Sequence, residues 1–583
     1  MSDLSHLLQS WRARWEDALG CWSRFTRLLE PRWCVTESDE KREQLSGSFA
    51  MIRFADHAVV ISLRQIEMRG LQRFATEIMA HEIGHHVLCP ADARDFTRLI
   101  ARLRRGLPTL ESRAPAIGNL YADLLINDRL TRECGLNLAG VYRALGKSDE
   151  DGALWRLYTR IYEHLWHLPT GDLCAGAPSA PSFEADAYLG AKLIRSYRTE
   201  WLGGAGRFAA LCLPYILEDL SKKGEFALKG IGDLQDSCRD CSPDGLAGID
   251  EDEAADAVHP VEDEARGGGA YRRSHPEITG GKKSERRYRD PVEYRELLEA
   301  TGTKASAKAL AAKYYRERAM PHLIPFPPRQ SAVVSEPQPE GLVEWDGGEP
   351  LESIDWIHTL LRSATVIPGV TTVQRSYGVT EGMERGERPC DLYIGMDCSG
   401  SMPNPRESLS YPTLAGTILA LSALRAGARV QVVLSGEPGQ TVSTRGFVRD
   451  ESAILEILTD YLGAGIGFGV HRLAEVFDAR KPADPATNIV IITDRDVLDL
   501  LDGPARGARG QALSSQIGWE IAARALARAR GNGSFVLHMP RAWSDPRLER
   551  LRQEGWRTHR LSTWDELIQF ARSYARDLYS EIR

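Results

Sequence analysis

The stretch His81-Glu82-Ile83-Gly84-His85, set within residues 75–88, constrains this chain more than any other. On a helix, residues four apart share a face, so His81 and His85 can present two imidazoles to one zinc ion. Glu82 follows the first histidine and stands where a carboxylate takes a proton from an activated water. Phe74, Ile78, Met79, Val87 and Leu88 supply the apolar flanks of a buried helix. A zinc that does chemistry also needs a third protein ligand and an open position. The extended pattern with a further glycine and histidine is absent, because Leu88 and Ala91 occupy those places.

The third ligand must come from further along the chain. A helix is predicted over 119–130, and Asp123 stands in its otherwise apolar run. A carboxylate buried there needs a metal or a hydrogen-bond partner to offset its desolvation. Asn127 lies four residues on, on the same face, where it can orient Asp123 or a histidine ring as a supporting group. The plainer reading is that Asp123 and Asn127 hydrogen-bond each other or solvent. Glu184 is the alternative third ligand, near the start of another predicted helix. An E-x-x-x-D arrangement ending at Asp186 would need a glutamate at position 182, where this chain has Ser182.

Residues 48–54 and 57–63 alternate and are β-rich, with Ala55-Asp56 as the turn between them. A hairpin there offers an edge that can pair with an extended peptide. His57 reads as a solvated turn histidine rather than a ligand. Residues 4–30 repeat at helical spacing, as do 153–168 and 205–220. Tyr121, Tyr188 and His164 are each able to polarise a substrate carbonyl, and nothing in the sequence selects one.

His81-Glu82-x-x-His85 followed by Ala122-Asp123-x-x-Ile126-Asn127 resembles the metallopeptidase domain of bacterial proteins that carry a von Willebrand factor A-like domain at the C-terminus. The resemblance spans about residues 40–200. It implies a zincin fold, with His81, His85 and Asp123 on zinc and Glu82 as the base.

The composition is that of a soluble globular protein, 43% hydrophobic and 26% charged over 583 residues, so several domains are expected. A formal net charge of -8 argues against a nucleic-acid or anionic-membrane binder. The N-terminus begins no charged-then-apolar signal pattern, and no apolar stretch is long enough to span a bilayer. The 10 cysteines form no disulfide framework. Together these give a cytoplasmic expectation.

Domains are expected at 1–230 (mostly helical with a short sheet), 231–290 (a charged linker or mobile loop), 291–385 (a connector packing on the flanking domains) and 386–583. The linker holds acidic runs around 250–253 and 262–264, three glycines at 267–269 and a basic run around 282–289. Its Cys238-x-x-Cys241 has no second half of zinc-ribbon spacing.

From residue 391, apolar strands and helices alternate to the end, the pattern of a doubly wound parallel sheet. The first strand ends in Asp397-Cys398-Ser399-Gly400-Ser401. This D-x-S-x-S resembles the metal-ion-dependent adhesion site of von Willebrand factor A domains. By matching positions it implies Mg²⁺ held at Asp397, Ser399 and Ser401, with Asp494 after a later strand. Where that family has Gly-Gly-Thr, this chain has Gly463-Ala464-Gly465-Ile466-Gly467, and isoleucine cannot coordinate a hard cation.

The fold class expected is therefore multidomain: a mainly α, zincin-like α+β domain, then a von Willebrand factor A-like α/β domain. The function expected is a zinc metallopeptidase acting on a protein or peptide substrate, whose second module recruits a partner. The resemblance implies a MoxR-type AAA+ ATPase as that partner, contacting Asp397, Ser399 and Ser401. The alternative is a non-catalytic adaptor or co-chaperone with a structural or degenerate zinc site.

Overall fold

The alternation over 48–63 yields its hairpin and one strand more. In the computed structural model, β2 (Ala50–Arg53) and β3 (Ala58–Ser62) pair antiparallel. β1 (Arg32–Cys34) joins β3 in parallel, so the order is β1-β3-β2. The structure describes residues 2–176, 181–223, 241–250, 288–323, 337–379, 389–506 and 512–579, save for a few positions within them, and some residues between 234 and 262. Cys238, the basic run before Tyr288 and the glycines at 267–269 lie outside the described residues.

The chain divides into two units: Met1–Pro321 with Pro403–Ser410, and His322–Met402 with Tyr411–Arg583. In the first, the H-E-x-x-H stretch forms α1 (Ala75–Val87). Downstream come α2 (Ala114–Cys134), α3 (Leu138–Leu145), α4 (Ala153–Leu165), α5 (Pro181–Ser196) and α6 (Trp201–Lys223). A proline in its first turn starts α2, and Gly135 closes it in the left-handed conformation at φ 67. Buried on nearly every side, α2 is the centre of this unit's core.

Gly84 lets α1 and α2 approach closely. A Cβ at Gly84 would lie 2.5 Å from Ile126 Cγ2 and 2.6 Å from Trp22 Cζ2. The Trp22 indole in turn donates to the Ala80 carbonyl at 2.7 Å. The N-terminal helical spacing is realised as helices Ser2–Arg12 and Trp15–Gly20, which bury Trp11 and Trp15. It stops there: Phe25 and Leu29 project into solvent, because an apolar repeat does not itself supply a surface to cover it.

The described part of the stretch expected as a linker, 231–290, packs within the first unit. Leu246 and Ala247, expected in a linker, are buried, and their N–H groups donate to Glu317. Asp250 accepts from Arg98 and Arg102 of the first unit. Leu297, on the helix Pro291–Ala300, belongs to the same core. A charged composition predicted solvation there, and at the described Asp250 and Glu253 it is met by ion pairs with this unit's arginines instead.

In the second unit, β4 (Pro337–Glu344) and β5 (Val373–Val379) form an antiparallel pair, with helix α7 (Trp356–Arg362) between them in sequence. The main sheet follows: β6 (Asp391–Asp397), β7 (Val430–Gly436), β8 (Gln440–Ser443) and β9 (Thr487–Asp494). A short hairpin, β10 (Pro504–Arg506) and β11 (Ala512–Ile517), precedes β12 (Arg530–His538) and β13 (Arg557–Leu561).

The order β13-β12-β9-β6-β7-β8 is parallel except for the β8 edge. Successive side chains of a strand face opposite ways. Tyr393 therefore joins the core beneath α9 (Gly518–Ala529), while Met396 meets α8 (Tyr411–Arg425) at Gly416. The last helix, α10 (Glu566–Tyr579), packs on α8. Helices thus cover both faces. Among the described residues, no helix is long and apolar enough to cross a membrane.

Candidate metal centre

Helix α1 brings His81 and His85 to one face, and α2 brings Asp123 opposite them. The two Nε2 atoms lie 3.2 Å apart, and each is 3.5 Å from Asp123 Oδ1. His85 and Asp123 are buried and His81 is partly so. Among the described residues, this is the cluster of histidine, cysteine and carboxylate groups arranged to hold a metal ion.

The surrounding hydrogen bonds decide which ring nitrogens carry protons. Asn127 Nδ2 contacts the hydroxyls of Tyr142 at 3.2 Å and Tyr162 at 2.8 Å, which uses both amide protons. Its Oδ1 therefore faces His81 Nδ1 at 2.8 Å and accepts the proton there. His85 Nδ1 lies 3.0 Å from the Cys89 carbonyl, which only accepts, so that nitrogen is protonated too. In the neutral form of each ring, Nε2 then carries a lone pair aimed at the other Nε2 and at a carboxylate oxygen. Three electron-pair donors converging in a largely buried spot repel unless a proton or a metal ion sits among them. Two imidazoles and a carboxylate are a donor set that zinc takes.

The supporting groups extend further. Asp123 Oδ2 accepts from Asn119 Nδ2 at 3.0 Å and from the Tyr158 hydroxyl at 3.4 Å. The hydroxyls of Tyr142, Tyr158 and Tyr162 form a closed triangle with edges of 2.7, 3.0 and 3.1 Å. Burial pushes the phenols of Tyr158 and Tyr162 well above their ordinary value, so they remain neutral hydrogen-bonding groups. Asn127 thus supports His81, one of the two roles its position allowed. The tyrosines were invisible to sequence reasoning: 158 and 162 share a helical face, but so do core residues.

A cleft opens beside the cluster, lined by Glu82, Glu77, Asn127 and Tyr142 and by the apolar Phe49, Ile78, Leu138, Val141 and Leu145. Glu82 is buried and shares this cleft with His81 and Asp123. Ser48 and Phe49, just before β2, form its rim. The sheet edge expected to be open is not bare. Ala50, Met51 and Ile52 of β2 are buried, and the Phe54 N–H donates to the Ser237 carbonyl at 3.0 Å.

Several sequence candidates fall elsewhere. Glu184 is not brought to the histidines; its carboxylate accepts from Arg160 Nη2 at 2.8 Å, which holds it below its usual range, and lies 3.4 Å from His164. A cation one helix away captured it. The Tyr121 hydroxyl donates to the Trp201 carbonyl at 2.6 Å, and Tyr188 is half exposed against His164. His57 packs against His86 with the rings tilted by 50° and their centroids 4.5 Å apart, and it is not among the clustered ligands.

In the second unit, Asp397 ends β6 and Asp494 ends β9, adjacent strands from which the chain winds in opposite directions. Open α/β sheets bind ligands at that crevice. Ser399 Oγ lies 3.1 Å from Ser401 Oγ, which donates to Asp494 Oδ2 at 3.1 Å. Asp397 holds the loop, accepting from Ser399 N–H at 2.8 Å and from the Thr493 hydroxyl at 2.9 Å. Burial raises its carboxyl, with the Ser399 N–H opposing. Ile466 points outward and is 55% exposed, while the Gly463 N–H ties that loop to the Cys398 carbonyl at 3.1 Å. The glycine-rich loop therefore touches the site through backbone.

No family model matches the chain, and no curated protein matches it. Among solved structures, it is similar to von Willebrand factor type A from Catenulispora acidiphila, at 16% identity and a TM-score of 0.23. The match covers 35% of this chain and 43% of that one, less than half of its length. The reading of the C-terminal sheet rests on its own strand order and loop.

Proposed function

We propose that this protein is a zinc-dependent metallopeptidase joined to a von Willebrand factor A-like recruitment module. One observation carries the reading: two imidazole Nε2 atoms, whose rings hydrogen-bond through Nδ1, converge with Asp123 Oδ1, and Glu82 lines the cleft beside them. His81, His85 and Asp123 would hold the ion. Bound there, zinc supplies a Lewis acid that polarises a carbonyl and acidifies water.

The chain's own residues do the rest. Glu82 takes the proton of the attacking water on its carboxylate and returns it to the leaving amine. Asn127 and the Cys89 carbonyl hold the histidine rings in the one tautomer that leaves Nε2 available. The apolar wall of Phe49, Leu138, Val141 and Leu145 excludes water and receives a substrate side chain.

The D-x-S-x-S site extends the proposal to the second unit. Ser399, Ser401 and Asp494 supply hard oxygen donors of the kind Mg²⁺ takes, and Asp397 positions their loop. A MoxR-type AAA+ ATPase contacting this loop is the partner that the resemblance implies. Metal content by mass spectrometry tests the first step: about one zinc per chain is expected in wild type and none in His85→Ala. Glu82→Gln should keep the zinc and lose peptide hydrolysis by about 10²-fold or more. Zinc without hydrolysis in wild type would hand the reading to the adaptor alternative.

A further inference from the structure

More than half of the large apolar side chains left exposed among the described residues fall between Leu342 and Tyr377. They concentrate on α7. Trp356, Ile357, Leu360 and Leu361 are 50%, 70%, 55% and 78% exposed, and of that helix only Thr359 is buried. Ile367 and Val370, in the turn that follows, add to the same character. Soluble surfaces rarely leave apolar side chains this dense uncovered.

The segment nonetheless has a definite fold. Trp345, Ile354 and Val373 form its small core; the Val373 N–H donates to the Thr359 hydroxyl and the Asp355 N–H to the Val373 carbonyl. Two strands and one short helix are too little to stand alone. The apolar side chains that would complete a core point outward instead.

The surrounding charge indicates what covers them. Glu344 and Asp355 are taken by Arg362 and Arg375. Asp346, Glu349 and Glu352, on the loop leading into α7, are exposed and have no ion pair among the described residues. A second copy of this chain would bring two such acidic loops to one interface, which like charge disfavours. We propose that α7 and its flanking turns form a docking face for a partner protein's amphipathic segment, apolar along one side and flanked by lysine or arginine. This face uses none of the residues of either candidate metal site.

Two synthetic amphipathic helical peptides with the same leucine stripe, one flanked by lysines and one by glutamates, test it by fluorescence anisotropy against the full chain. The lysine peptide is expected to bind at least tenfold more tightly than the glutamate peptide, and to weaken with salt. Ile357→Glu with Leu361→Glu should weaken it tenfold or more, and Asp346→Lys with Glu352→Lys should reverse the preference. All four positions are exposed, and circular dichroism verifies that the variants fold. Equal binding of both peptides, or of neither, overturns the proposal. Sedimentation showing a wild-type dimer that the Ile357→Glu, Leu361→Glu variant loses overturns it in favour of a second copy. Slow amide exchange of α7 in the isolated monomer overturns it in favour of the chain's own cover.

Discussion

Asn127 shows how much one side chain decides. Its amide oxygen takes the His81 Nδ1 proton because its two amide protons go to Tyr142 and Tyr162. Asn127→Ala removes all three bonds while leaving every proposed ligand in place. Zinc affinity should then fall by about 10- to 100-fold, read by competition with a chromophoric chelator; an unchanged affinity would refute the orienting role. Next to it, Asp128 tests burial against charge. Its carboxyl is raised by desolvation, with Arg195 and Arg132 opposing from 3.8 and 3.6 Å. A raised folded value contributes stability below the unfolded pKa of about 3.9, and that contribution is lost as pH rises through the folded value. At pH 7 the ionised carboxylate is therefore a cost, which an amide avoids. Asp128→Asn is expected to melt above wild type at pH 7, with the gap closing toward pH 4. A variant that melts lower at pH 7 would show that the arginines outweigh burial.

At the scale of elements, the centre depends on how closely α1 and α2 approach. Alanine at position 84 gains up to about 1 kcal/mol of helix propensity. Its Cβ would overlap Ile126 and Trp22, both held in the core, and overpacking costs about 1–3 kcal/mol. Gly84→Ala should lower the denaturation midpoint and also weaken zinc binding, because separating the helices carries Asp123 away from the histidines. Ile126→Ala in the same chain should recover part of both. Loss of stability with full zinc affinity would mean that α2 does not set the ligand distance.

For the molecule as a whole, two units with separate cores predict unfolding that is not two-state. An ion that binds only folded protein raises the melting temperature of the unit that holds it. Calorimetry should show one transition that falls when zinc is chelated. Another should rise with added Mg²⁺, and that response should vanish in Ser401→Ala. A single transition shifted by both treatments would show that the units unfold as one.

The sequence alone determined what short-range periodicity can carry. Residues four apart share a helical face, which set His81 with His85 and placed Asp123 and Asn127 together on a second helix. Alternating apolar runs likewise announced the parallel sheet and put Asp397 at a strand's end. Tertiary structure alone decided what those faces meet. The tyrosine triangle, the Cys89 carbonyl, the capture of Glu184 by Arg160 and the packing of residues 246–250 all join positions distant in sequence or set by loop geometry. Periodicity marks a face as apolar or charged, but its partner depends on long-range packing. Hence α1 and α7 both carry apolar side chains, and only the folded chain shows that one is buried and the other exposed.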